Sequence, residues 1–135
     1  MANAVFTKFK ENLLAGLFDL DTNTIKAALI DGYTPNLSTH ATLADAKGAG
    51  ATQVGTDQTL TGKAVTNGAF TASTVTWTSV AGGNTPDYVL VYQDGAGDST
   101  RYLIALIDTT TGVTLPVTTN GGNITLTWST SVFTL

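Results

Sequence analysis

Pro86-Asp-Tyr-Val-Leu-Val-Tyr92 and Arg101-Tyr-Leu-Ile-Ala-Leu-Ile-Asp108, joined by the polar loop Gln93-Asp-Gly-Ala-Gly-Asp-Ser99, decide how the rest of this chain is read. Both halves are short, rich in β-branched and aromatic residues and bounded by turn formers, which marks them as the strands of a hairpin. Neither half alternates. Val89, Leu90 and Val91 are consecutive, and so are Leu103 through Ile107. Successive strand side chains point to opposite faces, so an unbroken apolar run needs cover on both. A half-exposed antiparallel strand alternates apolar with polar instead. The hairpin therefore belongs in the middle of the fold, and the flanking chain supplies its two covers.

Asn3 is placed to cap an amphipathic helix over residues 4–18, with Val5, Phe6, Phe9, Leu13, Leu17 and Leu20 along one stripe. Leu14 and Phe18 fall off that stripe, either packing under the following loop or facing a partner. Thr24 to Ile30 reads as a strand stopped by Asp31-Gly32. From Tyr33 to Thr61 the pattern dissolves into a long loop. A helical turn within 38–47, capped by Ser38 or Thr39, and weak edge pairing at 52–54 and 58–60 are the elements expected there. So long an irregular stretch is either an ordinary surface loop or a contact arm ordered by a partner.

Residues 63–135 read as β-rich. Asn67-Gly68 between Ala64-Val-Thr and Ala69-Phe-Thr signals a type I′ hairpin. Val75 and Trp77 alternate with threonines, as do Ile124, Leu126 and Trp128. Pro116 confines 113–117 to an edge or a strand end. The apolar close, 132–135, predicts a tethered C-terminus. One helix and about eight or nine strands, with turns at short regular intervals, predict a single mainly β domain over 1–135. Its expected form is an antiparallel β-sandwich, or a small barrel, with one N-terminal amphipathic helix.

Composition narrows function further. Only 12% of residues are charged, against about 25% in typical domains, and the net charge is −4. Arg101 is the sole basic residue after Lys63, which leaves no basic stripe for nucleic acid. Cysteine is absent, excluding disulfides and thiol chemistry and fitting a reducing place of synthesis. No signal peptide is visible, and no run approaches the roughly 18 apolar residues of a membrane span.

Candidate chemistry is equally sparse. His40 is the single histidine, with Asp45 the nearest acid and no spacing that makes a triad or metal site. Asp19, Asp21 and Asn23 imitate the start of a calcium loop, but Thr24 stands where glycine is needed and Ile30 where glutamate is. Asp94 and Asp98 flank glycines as hairpin-tip residues do without a metal. Glu11 is the only glutamate, so a glycosidase pair would have to come from aspartates at turns. Trp77 and Trp128 continue alternating apolar faces and read as core. No catalytic, cofactor-binding or metal residue is assigned. The interface candidates are Leu14, Phe18, Tyr33, Pro35, Leu37, His40 and Leu43.

Several segments together carry a resemblance: the opening Met1-Ala-Asn-Ala-Val-Phe-Thr-Lys-Phe9, Phe18-Asp-Leu-Asp-Thr-Asn-Thr-Ile-Lys-Ala-Ala-Leu-Ile-Asp31, Leu60-Thr-Gly-Lys-Ala-Val65, Phe70 to Trp77, the two hairpin strands, Leu115-Pro-Val117, Asn120-Gly-Gly122, Ile124-Thr-Leu-Thr-Trp128 and Phe133. In order and spacing the chain resembles small structural proteins of tailed bacteriophages, found among head genes and taken to be capsid decoration (cement) proteins. The loop from Tyr33 to Gln58 is its least family-like part. The resemblance implies a non-enzymatic virion component on the outer capsid surface, made in the bacterial host cytoplasm. It further implies the major capsid protein and other copies of itself, for instance as a trimer, as partners, with no cofactor, nucleic acid or membrane. A receptor- or glycan-binding β-sandwich of a head or tail fibre is the alternative.

Overall fold

The computed structural model describes residues 3–128 and 130–135. The chain is mainly β and antiparallel, with a five-stranded sheet at its centre and smaller sheets of three and two strands. The large sheet has the order β1 (Ala4–Val5), β8 (Tyr102–Ile107), β7 (Tyr88–Gln93), β2 (Ile25–Asp31), β3 (Thr52–Thr59). The three-stranded sheet is β10 (Phe133–Thr134), β5 (Ala69–Thr71), β4 (Ala64–Thr66), and β6 (Val75–Trp77) pairs with β9 (Ile124–Leu126). The layers form a sandwich-like β fold.

The hairpin lies inside this sheet as its apolar runs require. Register sets Leu90 beside Leu106 and Ala28, and Val89 beside Ile107 and Leu29. The two sets occupy opposite faces, yet none of the six is more than 2% exposed. On the Leu90 face, the ring of Tyr33 meets Tyr88 edge-on at 6.3 Å. On the other face stands Tyr102, the register partner of Gln93. It touches Phe18, which packs against Phe9, which packs against Phe133, with centroids 6.4, 4.9 and 5.2 Å apart. Trp77 and Val80 lie over β3, close enough to Gly55 that a methyl group there would meet them at 3.8–3.9 Å.

The N-terminal element differs from expectation. The chain enters as β1 along the edge of β8, and the helix, α1, covers only Thr7–Leu14. Asn3 does not cap it. Its side-chain oxygen accepts from the Asp108 and Thr109 N–H groups at 2.8 and 2.9 Å, and its amide donates to the Thr109 carbonyl at 2.8 Å. That clamp pins residues 3–5 as a strand. The helix ends four residues early because Gly16 takes φ +83°, with Gly16 N–H on the Leu13 carbonyl and Leu17 N–H on the Asn12 carbonyl. This is a Schellman stop, which glycine enters without steric cost. Leu17 is consequently well exposed, while Phe6 and Phe9 are buried.

The expected loop over 33–61 is largely ordered. A second helix, α2 (Leu43–Gly48), starts at Thr42 rather than Ser38 or Thr39, in a reciprocal capping box with Asp45. Residues 52–59 form one strand along β2, with a register shift opposite 27–29. The type I′ turn forms at Asn67-Gly68, with φ 51° and 77°. Residues 113–117 make no strand, only an isolated bridge between Thr114 and Thr109. The C-terminal β10 is tied to β5, as the apolar close predicts.

Leu90→Ala should cost about 2–5 kcal/mol, the range for emptying a packed core site. Leu14→Ala, at an exposed position, should cost less than about 0.5 kcal/mol. Urea unfolding with an unchanged m-value measures both; near-equal costs would mean that the hairpin is not covered on both faces.

Candidate interaction surface

The structure divides the interface candidates. Phe18, Tyr33 and Leu43 are buried in the chain's own core, so their side chains are not free to meet a partner. Phe18 packs against Phe9 and Tyr102, Tyr33 against Tyr88 and His40, and Leu43 is a buried residue of α2; the contacts to Tyr102 and Tyr88 join segments distant in sequence. Leu37 is partly buried against the core and Pro35 is half-buried. Leu14 is 89% exposed.

His40 closes a small local structure. Its Nδ1 accepts from the Asn36 N–H at 3.3 Å, so the Tyr33 hydroxyl, 2.7 Å from the same nitrogen, must donate as well. The ring proton is thereby assigned to Nε2. The two rings also stack, with centroids 5.6 Å apart. Burial pushes the Tyr33 hydroxyl well above the usual tyrosine range. Residues 33–40 are therefore held to the core rather than extended as an arm.

Most of the strongly interacting charge lies at one corner of the large sheet. Arg101 bridges Asp94 and Asp98 at 2.9 Å each, Lys26 lies 3.2 Å from Asp94, and Lys47 lies 2.7 Å from Asp98. This network joins α2, β2 and the β7–β8 loop. The hydrogen bond from Lys47 holds the Asp98 carboxyl below the usual range. Asp45 is held low chiefly by the Ala41 N–H. Nearby, Asp57 accepts from the Tyr92 hydroxyl and the Gln53 amide, and desolvation raises its pKa despite those bonds. These contacts join elements of the fold to one another. Among the described residues, no group of three or more His, Cys, Asp or Glu is arranged to hold a metal. No helix among them is long and apolar enough to cross a membrane.

An open concavity lies elsewhere, between α1, β1 and the C-terminal strand. It measures about 790 Å³ and is lined mainly by apolar groups, including Val5, Leu13, Leu14, Ile107, Val132 and Phe133. Leu14 and Leu135, two of the few large apolar side chains left in solvent, stand on its rim. Among the described residues of the lining, Lys10 carries the one charged side chain, and it forms no ion pair with any of them. Isolated exposed leucines are ordinary; an apolar hollow with leucines on its rim is the type of surface that marks a binding site. Sequence reasoning singled out Leu14 but not the groove, because its walls come from the two ends of the chain. In comparisons with known proteins, no protein-family model and no curated protein matched this chain.

Asp57 supplies a pH signature. Its folded-state pKa lies above the unfolded value, so the charged carboxylate disfavours folding at neutral pH, and the penalty fades as pH falls through the folded value. Asp57→Asn should raise the melting temperature at pH 7, with the gain gone by about pH 3, below the unfolded carboxylate value. Asp45→Asn should behave oppositely, losing stability at pH 7 and converging with the parent in acid. Thermal melts across that pH range check both signs.

Proposed function

We propose that this protein is a non-enzymatic structural component of a tailed-phage virion that binds the outer capsid surface and stabilises it as a decoration protein. The observation carrying this reading is the apolar groove with Leu14 and Leu135 on its rim, on a chain with little charge to oppose close packing. The family resemblance points the same way. In this reading the major capsid protein is the principal partner, and other copies of the chain assemble with it on the shell. Each contact can be modest, because many equivalent sites held at fixed spacing raise the effective concentration of an oligomer. Synthesis in the bacterial host cytoplasm accords with a chain lacking cysteine.

The alternative, a glycan- or receptor-binding module, depends on exposed aromatic side chains. Trp77 is 1% and Trp128 8% exposed, and Tyr33 is likewise buried, so none of these three rings is free to stack on a sugar.

Purified protein added to shells stripped of it should co-sediment with them and raise their disruption temperature. Leu14→Asp should weaken that binding at least about tenfold, some 1.4 kcal/mol, without changing the protein's own unfolding midpoint by more than about 0.5 kcal/mol. Failure to bind either unexpanded or expanded shells would overturn the proposal.

A further inference from the structure

The walls of the groove are two strand edges. β1 is the outer strand of the five-stranded sheet, and β10 is the outer strand of the three-stranded sheet. In an antiparallel ladder, bonded pairs alternate with pairs whose peptide groups turn away from the neighbouring strand. Phe6 N–H donates to the Ile104 carbonyl at 3.0 Å, and Ala4 pairs with Leu106. The intervening residue, Val5, therefore turns its N–H and C=O away from β8. On the other wall, Leu135 N–H donates to the Gly68 carbonyl at 2.9 Å, and Thr134 pairs with Ala69. Thr134 accordingly turns its peptide groups away from β5. Both residues line the same groove.

We propose that this groove is a slot for an extended peptide segment, which enters between β1 and β10 and hydrogen-bonds to Val5 on one side and Thr134 on the other. An apolar hollow by itself accepts any greasy shape. Two unpaired edges facing it select an extended backbone, because only a strand offers donors and acceptors to both sides at once. The apolar lining calls for apolar side chains at alternate positions of the guest. Lys10, charged and without an ion-pair partner among the described residues, calls for a carboxylate beside them.

The donor is a different protein. Among the described residues, the apolar alternating segments of this chain, Val75–Trp77 and Ile124–Leu126, are already paired with each other and buried. Leaving the fold to serve a neighbour would uncover Trp77 and Leu126. That the donor is a shell subunit rests on the proposed function; the slot itself rests on the two edges.

The test uses the full chain and capped peptides of about eight residues, a little over a usual strand length. The peptides alternate valine with threonine and carry one aspartate, or lysine at the same position. Titration should shift the amide resonances of Val5 and Thr134 most, with the aspartate peptide bound more tightly. Thr134→Pro removes one outward-facing donor at an edge, where proline is tolerated, and should weaken binding at least about tenfold; Thr134→Ala should not. Lys10→Glu should reverse the preference between the two peptides, which keeps the test intact if the proline variant fails to fold. Peptides that leave Val5 and Thr134 unshifted would overturn the slot, as would unchanged affinity in folded Thr134→Pro. Self-association of the protein that the peptide displaces would assign the groove to a second copy and overturn the proposed donor. Peptide binding without shell binding would preserve the slot and remove the shell as its donor.

Discussion

Two adjacent strands with no polar face impose the main constraint on this molecule. Leu90 and Val89 are neighbours in sequence, point in opposite directions and are both fully buried. Apolar burial is worth roughly 25 cal/mol per Å², so exposing either face of the hairpin would forfeit several large side chains at once. The fold answers with unlike covers. One face receives Tyr33 and its connection; the other receives a chain of aromatic contacts from Tyr102 through Phe18 and Phe9 to Phe133. Those contacts join the start of the chain to its end. This is why an eight-residue helix, marginal alone in water, is stable here.

Most of the β architecture could be read directly from the residues. The central hairpin, the strand read at 24–30 and found at Ile25–Asp31, the Asn67-Gly68 turn and the alternating faces around Trp77 and Trp128 were each legible from apolar patterning or a turn pair. The misreadings have equally specific causes. The β3 sequence, Thr-Gln-Val-Gly-Thr-Asp-Gln-Thr, has one apolar side chain, Val54, and shifts register between Val54 and Gln58, which is tolerable because an edge strand with one neighbour asks little of its side chains. Tyr33 looked unclaimed because its ring partner Tyr88 lies on a distant strand, and Leu43 because the short helix α2 that holds it carries a weak signal. The early helix stop was legible in Gly16 but masked by Leu17 and Leu20, which prolong the apolar stripe. Asn3 carried a capping signal that a longer-range clamp on Asp108 and Thr109 consumed. The groove was not legible at all, since it depends on two distant termini meeting.

The covering arrangement also determines what is left over. A sheet covered mostly from within consumes nearly every aromatic ring in its own core. Among the described residues it leaves Leu14, Leu17, Val65 and Leu135 as the large apolar groups in solvent, two of them beside a hollow bounded by the outer strands β1 and β10. Among the described residues, every ion pair except Lys8–Glu11 on α1 belongs to the corner network. A surface of this kind is equipped for adhesion, consistent with the decoration role proposed from groove and resemblance together.

Native-state hydrogen exchange tests the central claim most directly, because the slowest amides report the part that opens only with global unfolding. The account predicts that the slowest set lies in β7, β8 and β2, around Leu90, Leu106 and Ala28, with a common free energy equal to the global unfolding value. Faster exchange in the hairpin than in β6 and β9 would show that the two-faced apolar pair is not the centre on which the fold is built.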